Sequence, residues 1–584
     1  MKMKKNICYI FLAVMLISQG CEKDSFLQDG SFSGGNDVTE AQLWANPDYA
    51  RNFLNNVYAS LQERYNLDGD GGILASGSDE AVNSNSNGGI NVLNNGTWGP
   101  VRTFDDVYAN MYAGIRKANT FIEKAPTSPF IVLDELLPAN VAANQTYELQ
   151  VARLVGQAYF LKAFFEFELL KRYGSFVIVN KTLTVNDELD VPRNTFDECV
   201  AQIAKDCEDA ISRLPLSPSE WRTTDRGRAT QTAAMALKAR LLLYAASPQY
   251  NPSGDITKWQ AAADAAKRIM DTGKHAIYTS YPNIWLWNTA GAFNTEVIFA
   301  TSATATVAIE QNNAPVSYDA ANGRTNPTQE MVDAYEMRTT GKPITDATSG
   351  YNAATPYNNR DPRFGFSVLF NTASVQPILP ANRFKSKDVE TFVGGRDGLG
   401  LNVNATKTGY YMRKFLSESA SWAGTITTIR RPWIYFRYAE VLLNYAEALN
   451  EAQGTAAATQ VLAAVNLIRA RAGVAMPALQ TTNPAGNGYV PLDKVEIRKR
   501  IRNERRVELA FEEHRFFDVR RWKEGETTFN GPVSGMRIVP TSATTFTYTK
   551  FTVENRSFTA KNYLYPIGQN ELNRATKLGQ NTGY

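Results

Sequence analysis

Residues 147–173, YELQVARLVGQAYFLKAFFEFELLKRY, constrain the fold more than any other stretch. Val151, Leu154, Val155, Ala158, Leu161, Phe165 and Leu169 recur at spacings of three and four, the period of one helix face. Phe160, Phe164 and Phe167 add apolar bulk on the other sides. A helix that is apolar nearly all round belongs at the centre of a core, so other helices must surround it. The same period predicts helices over 46–65, 105–124, 196–213, 228–246 and 257–272. The most regular pattern runs from Arg437 to Glu451. Tyr438, Val441, Leu442, Tyr445 and Leu449 form its apolar stripe, and Arg437, Glu440, Asn444, Glu447 and Glu451 its polar one, with Gly454 placed to end it. A further helix at about 456–472 completes a hairpin. Successive hairpins predict a mostly α fold of degenerate tetratricopeptide-like stacking, because their spacing is irregular and the strict repeat motif is absent.

Between the helices, 66–104, 273–326, 340–432 and 523–566 read as irregular, rich in Gly, Asn, Thr, Ser and aromatic residues, with few short β-like runs such as Glu296–Ala300. Loops of this length inside a folded chain are usually functional. No Pro- or Ser-rich linker divides the chain, so residues 39–584 are expected to form one domain, a helical scaffold with a loop-rich ligand region.

The N-terminus carries an address. Lys2, Lys4 and Lys5 precede an apolar run from Ile7 to Ile17, and Ser18-Gln19-Gly20 leads to Cys21. This order is that of a signal peptide, residues 1–20, and the run falls short of the roughly 20 residues that a membrane-spanning helix needs. Cysteine at the cleavage point predicts lipidation of Cys21, although Ser18 replaces the usual Leu of a lipobox; ordinary secretory cleavage is the other reading. Residues 21–38 are rich in Ser, Gly and Asp and read as a flexible tether. Cys199 and Cys207 are eight residues apart in a helical pattern. That spacing is roughly 12 Å, too far for a disulfide between them. Losing the three signal lysines takes Lys plus Arg from 61 to 58, equal to the 58 Asp plus Glu. A neutral chain offers no electrostatic case for nucleic acid or an anionic bilayer.

Little points to catalysis. With two histidines, His275 and His514, no multi-histidine metal site forms, and no nucleophile elbow or Walker loop occurs. Glu504, Glu508 and Glu512 share a helix face, but Arg500, Arg505 and Arg515 lie within a turn, so a structural ion network is the better reading than acid–base chemistry. His514 in the same segment reads as packed. Asp68, Asp70 and Asp79 resemble part of a calcium loop, but Gly72 stands where a third ligand is needed. No cofactor is expected.

Six segments together resemble the SusD/RagB family, surface lipoproteins that bind nutrients for TonB-dependent outer-membrane transporters. They are Ser78-Asp79-Glu80 with Tyr112–Glu123, Gly156–Gly174, Arg437–Glu451, Asn466–Gly473, Arg502–Trp522 and Leu564–Tyr584. Lys162 replaces a usual Arg, Ser175-Phe176-Val177 a usual Asp-Val-Pro-like turn, and Glu513 a common Gly. The resemblance implies a non-enzymatic, outer-membrane lipoprotein facing the exterior, with a SusC-like transporter as partner and an oligosaccharide as ligand. Alternatives are a peptide ligand, as in the RagB branch, a surface glycan hydrolase, or a purely structural adaptor.

A sugar ring has an apolar face for an aromatic side chain and hydroxyls for amides, carboxylates or guanidinium. Loop 83–99 offers Asn94, Asn95 and Trp98 in that combination, in the region where glycan-binding relatives place ligand contacts; a capping loop with Trp98 packed on the core is the competing reading. Asp79, Tyr318 and Arg324 are further ligand candidates, the last two in a polar, loop-like stretch. Trp422 is similar. Tyr278, Tyr281, Trp285 and Trp287 read as core packing.

Overall fold

The computed structural model describes residues 39–584 apart from 128–146, 287–292, 302–303, 373–387 and 418. The signal, Cys21 and the tether lie outside the described residues, as does Trp287. The principal helices are α1 (Pro47–Tyr58), α2 (Tyr108–Lys124), α3 (Tyr147–Tyr173), α4 (Phe196–Ile211), α5 (Gln231–Ala246), α6 (Ile256–Asp271), α7 (Tyr438–Gln453), α8 (Ala458–Arg469), α9 (Lys494–Glu508) and α10 (His514–Arg521). From α2 to α8 each packs on the next, which makes the predicted stack of helical hairpins. The central helix is α3, whose Phe160, Phe164, Phe165 and Phe167 are all buried. Helix α2 approaches it closely at Gly114, where a Cβ would lie 2.7 Å from the Phe165 ring.

Helix α7 ends at Gly454 with φ 59°, a backbone conformation that favours glycine. Its polar stripe is not a solvent face. Glu440, Asn444, Glu447 and Glu451 are buried and face basic side chains of neighbouring helices. Arg240 bonds Glu440, Arg505 bonds Asn444, Arg521 bonds Glu447, and Arg498 bonds Glu451. A polar stripe read from periodicity gives a face but not its neighbour.

Among the described residues, ten strands form five two-stranded antiparallel ladders: β1 (Ala81–Asn83) with β4 (Thr325–Pro327), β2 (Val297–Ala300) with β8 (Ile434–Arg437), β3 (Thr304–Thr306) with β7 (Ile429–Arg431), β5 (Val368–Leu369) with β6 (Tyr411–Met412), and β9 (Gly531–Pro540) with β10 (Phe546–Arg556). The β9–β10 hairpin corrects the expectation that 523–566 is irregular. Alternating Thr, Val and aromatic residues in FTYTKFTV carried that strand signal. The short ladders stitch the loops over a second apolar core containing Tyr357, Phe364, Phe370, Tyr410 and Trp433, separate from the helical core.

A buried ion lattice joins the two sides. Glu508 accepts from Arg437 at 2.8 Å, Arg471 at 2.6 Å and Arg363 at 3.0 Å. Glu504 accepts from Arg363 and Arg469, and Glu512 from Arg437 and Lys414. The ion network was foreseen, but its partners differ. Arg500 pairs with Glu336, Arg505 with Asp518 and Arg515 with Asp79, because distant elements bring other arginines to the glutamates. Glu513 has φ 68° and accepts from Arg64, so an ion pair holds a side chain in a glycine-like conformation.

Candidate functional site

The β1–β4 ladder sets Asn83 opposite Thr325 and so brings loop 66–91 beside the turn 312–324. Arg324 lies at the junction. Its Nε donates to the Asp70 carbonyl at 3.2 Å, and its Nη1 to Asn404 Oδ1 at 2.9 Å, Ser84 Oγ at 3.3 Å and the Asn322 carbonyl at 3.2 Å. The Asp70 carboxylate is 3.8 Å from Arg324 Nε and spends its oxygens on neutral donors. These are Gly72 N at 2.9 Å, Asn83 Nδ2 at 3.1 Å and Asn85 Nδ2 at 2.9 Å. Asn404 bonds Asn322, and Asn322 bonds Asn312. The result is a rigid, amide-lined patch in which Asp70, Asn85, Asn312, Asn322, Arg324 and Asn404 all keep partial solvent exposure.

The same turn carries the aromatic element. Tyr318 and Trp422 pack edge to face with centroids 4.6 Å apart. Tyr318 Oη donates to the Ala420 carbonyl at 3.0 Å, and Trp422 Nε1 to the Asp319 carbonyl at 3.1 Å. Tyr318 is nearly buried, whereas Trp422 is half-buried and keeps ring surface in solvent. Between Tyr318 and Arg324, Asp319 has φ 46° and Ala320 φ 56°. Two adjacent left-handed non-glycine residues cost on the order of 1–3 kcal/mol each and persist only where the surroundings hold them. Leu401, Val403 and Ile426, in the loops that carry Asn404 and Trp422, are exposed and give the patch an apolar rim.

The remaining candidates lie elsewhere, and all but Asn95 are buried. Trp98 is 2 % exposed, edge-on to Tyr565 at 4.6 Å and Tyr584 at 6.3 Å, and presents no ring face to a ligand. Asn94 is buried and donates to the Ser76 carbonyl at 2.8 Å. Asn95 is exposed but caps Thr97, beside Ser557. The Asp79 carboxylate is ion-paired with Arg506 and Arg515, both at 2.8 Å. Burial alone would raise its pKa, but the two guanidinium groups outweigh it and hold the carboxyl at about 2. Neighbouring Glu80 is the reverse: burial pushes it up to about 8. In the capping-loop segment Trp98 and Asn94 are packed under the C-terminal tail.

Other groups are accounted for by structure. Asp68 accepts from Ile90 N at 2.8 Å, and burial raises its pKa. Among the described residues no three His, Cys, Asp or Glu side chains converge as a metal site. Burial and the cations Arg240, Arg505, Arg437 and Lys171 keep His514 well below the ordinary histidine range. His275 faces Thr232, and burial holds it at about 4. Tyr281 and Trp285 are core residues, edge to face at 5.3 Å. Enclosed volume does not mark the patch: a groove of about 490 Å³ lies between α6 and α9, lined by Trp259, Arg498 and Trp522. Sequence reading named Tyr318, Arg324 and Trp422 as candidates but did not name Asn83, Asn85, Asn322 and Asn404, which the structure places around them. Their signal was the asparagine density of NSNSNGG and its neighbours, which composition alone cannot aim.

Two family models match the chain. Residues 291–584 match the SusD family, and residues 50–243 match a family described as starch-binding and associating with the outer membrane. The chain belongs to the SusD family. A SusD-like protein from Bacteroides fragilis is 28% identical, with TM-score 0.75 and coverage of 94% of this chain and 99% of that one. A SusD-like carbohydrate-binding protein from the same species is 23% identical, with TM-score 0.73 and coverage of 92% and 100%. A curated SusD-like protein of Formosa agariphila is 23% identical over 92% of this chain and 95% of its own length. SusD membership agrees with the helical stack and with association at an outer membrane. Among the described residues no helix is long and apolar enough to cross a membrane.

Proposed function

We propose that this SusD-family chain is a non-enzymatic lipoprotein that binds an oligosaccharide at the Arg324–Trp422 patch and delivers it to a SusC-like, TonB-dependent transporter. The observation that carries the ligand reading is Arg324. Neutral groups fix its Nε and Nη1, while among the described residues Nη2 makes no hydrogen bond, the side chain is partly exposed, and the same turn carries Tyr318, which packs on the half-buried Trp422. That is the pairing of apolar face and directed donor that a pyranose needs. The starch-binding description of the matched family and the carbohydrate-binding relative support the same ligand class. Lipid on Cys21 and the 21–38 tether would keep a single folded body, 39–584, beside the transporter at the cell exterior. Lipid labelling lost in Cys21→Ala tests that arrangement.

The non-enzyme reading follows from the carboxylates. Hydrolysis requires two free ones roughly 5–10 Å apart across a cleft. In the patch Asp70 is saturated by three donors and Asp68 accepts a backbone amide. Isothermal titration against a panel of neutral oligosaccharides decides the ligand. Arg324→Ala and Trp422→Ala should each weaken binding at least about tenfold, the loss of one charge-assisted hydrogen bond or one stacked ring. Retained glycan affinity in both variants moves the site elsewhere, and reducing ends released from the panel overturn the non-enzyme reading. Affinity for peptides alone, indifferent to Trp422→Ala, favours the RagB-like alternative.

A further inference from the structure

The turn that joins α4 to α5 folds back on the first turn of α5. There Gln231 N donates to the Pro215 carbonyl at 2.8 Å and Thr232 N to the Leu216 carbonyl at 3.1 Å. Buried Trp221 pins the turn further on, its Nε1 donating to the Ala229 carbonyl at 3.2 Å. The segment after α6 is tied to the entry of β2, where Ala276 N donates to the Thr295 carbonyl at 3.2 Å. These three segments line a cavity of about 140 Å³. Ser217, Ser219, Arg226 and Lys274 form its polar wall, and Pro218 and Phe293 contribute to its apolar one. Among the described residues no carboxylate lines it, and residues 287–292, which precede Phe293, contain no ionisable side chain.

The carboxylates nearest in sequence are committed elsewhere. Asp225 accepts from Arg51 at 2.8 Å and Arg228 at 3.0 Å, Glu296 from Arg437 at 2.7 Å and Arg471 at 2.6 Å, and Glu220 from Leu216 N at 3.1 Å. His275 also lines the cavity, but its Nε2 meets Thr232 at 3.0 Å and burial holds it at about 4, so it is neutral near pH 7. The cations on the wall are Arg226 and Lys274, and among the described residues neither side chain makes an ion pair or hydrogen bond. Arg226 Nε is buried without an acceptor. A buried donor in that state costs about 1–3 kcal/mol unless a water or an ion supplies the oxygen. Ser217 and Ser219 share one hydrogen bond at 2.9 Å, which leaves one hydroxyl proton to donate.

We infer that this cavity is an oxyanion site that takes a sulfate or phosphate group, as the free ion or as the monoester of a small sugar. A tetrahedral oxyanion offers several acceptors at once. The guanidinium fork of Arg226 takes two oxygens, the Lys274 ammonium acts as a point charge, and a serine hydroxyl meets a third oxygen. A single water satisfies Arg226 Nε but leaves both charges unbalanced. The inference is independent of the glycan reading, which rests on other residues.

The test is isothermal titration of the full chain with inorganic sulfate, inorganic phosphate, a glucose sulfate monoester and glucose itself. At least one oxyanion should bind saturably, about tenfold or more tighter than glucose, because its hydrogen bonds are charge-assisted. Inorganic ions that bind as tightly as the ester support the site and assign it to the free ion. Tighter ester binding supports it and shows that the apolar wall takes the sugar. Arg226→Gln should weaken oxyanion binding about tenfold or more. Lys274→Glu, a charge reversal at an exposed position, should abolish it, and decides the question alone if Arg226→Gln fails to fold. Unchanged affinity in Lys274→Glu overturns the inference, as does equal affinity for glucose and its ester. Oxyanion binding lost in Arg324→Ala overturns it by moving the anion to the glycan patch. No saturable binding of any oxyanion overturns it too and leaves water as the acceptor for Arg226 Nε.

Discussion

The Glu508 lattice and the Arg324 patch use similar chemistry to opposite ends. Both place guanidinium groups among oxygen acceptors supplied by elements far apart in sequence. Around Glu508 every partner is ionised and buried, and Arg363, Arg437 and Arg471 converge on one carboxylate. Burial would raise the Glu508 pKa, but those three cations outweigh it and hold it well below the ordinary carboxylate range. Around Arg324 the acceptors are mostly neutral amides and carbonyls, and solvent reaches the cluster. The lattice is sealed from solvent, so the donors it leaves unbonded, Arg469 Nη2 and Arg471 Nε, are out of a ligand's reach. A half-open arginine fixed by neutral groups keeps both its charge and a donor for something that arrives from outside.

The sharpest way to break the contrast is to unbalance the sealed side. Glu508→Ala leaves three buried guanidinium groups sharing the remaining carboxylates and should cost about 3–5 kcal/mol of unfolding free energy, read by denaturant titration. A loss under about 1 kcal/mol would mean that water or rearrangement compensates the lattice, and the distinction between the two regions would fail.

The two tryptophans give the next effect. Trp98→Ala empties a packed site against Tyr565 and should cost about 3 kcal/mol while leaving ligand affinity unchanged. The half-buried Trp422 should show the reverse when truncated: little stability lost and affinity reduced. If Trp98→Ala abolishes glycan binding in a chain that is still folded, the patch is misplaced and loop 83–99 regains its ligand role.

Acidity separates two other buried carboxylates in the same way. Glu447, paired with Arg521, lies at about 2, so its stabilisation is complete above its unfolded value near 4.5 and is lost as pH falls from there toward 2. Glu80 lies at about 8, so folding favours its protonated form. Its stabilisation is complete below pH 4.5 and is lost as pH rises from 4.5 to 8, a few kcal/mol at most. Glu80→Gln removes that alkaline loss, so unfolding free energy should fall less between pH 5 and pH 8 than in the parent chain. Parallel curves would show that Glu80 is ionised in the folded protein.

How much of this was legible beforehand follows the same division. Helix α3 was read with its end points correct, because its apolar pattern is local and repeats along one segment. The polar stripe of α7 was read as a stripe, but its burial depends on Arg505 and Arg521, which lie in later helices. The ion network was expected from charge density, whereas its pairs come from strands and loops that sequence spacing does not bring together. At the patch, Tyr318 and Arg324 stood out as an aromatic and a cation in a polar stretch. Asn404, some eighty residues away, joins them only through a loop crossing, and no periodicity encodes that. Trp98 shows the converse: composition makes it resemble a binding residue, and only the C-terminal tail closing over it decides otherwise.

The smallest expected effect lies at Asn404, and it probes whether the patch is rigid. Its Oδ1 accepts from Arg324 Nη1 at 2.9 Å, and its Nδ2 donates to Asn322 at 3.3 Å. In Asn404→Ala the Arg324 Nη1 still reaches Ser84 and the Asn322 carbonyl, so stability should fall by only about 1 kcal/mol. The guanidinium gains freedom that a ligand must then remove, which should weaken glycan binding a few-fold. Asn404→Asp keeps the acceptor for Arg324 and should restore most of the affinity, which a merely structural role for Asn404 would not require. Equal affinities in the parent, Ala and Asp chains would show that the backbone acceptors alone position Arg324, leaving its rigidity to the strained turn at Asp319 and Ala320.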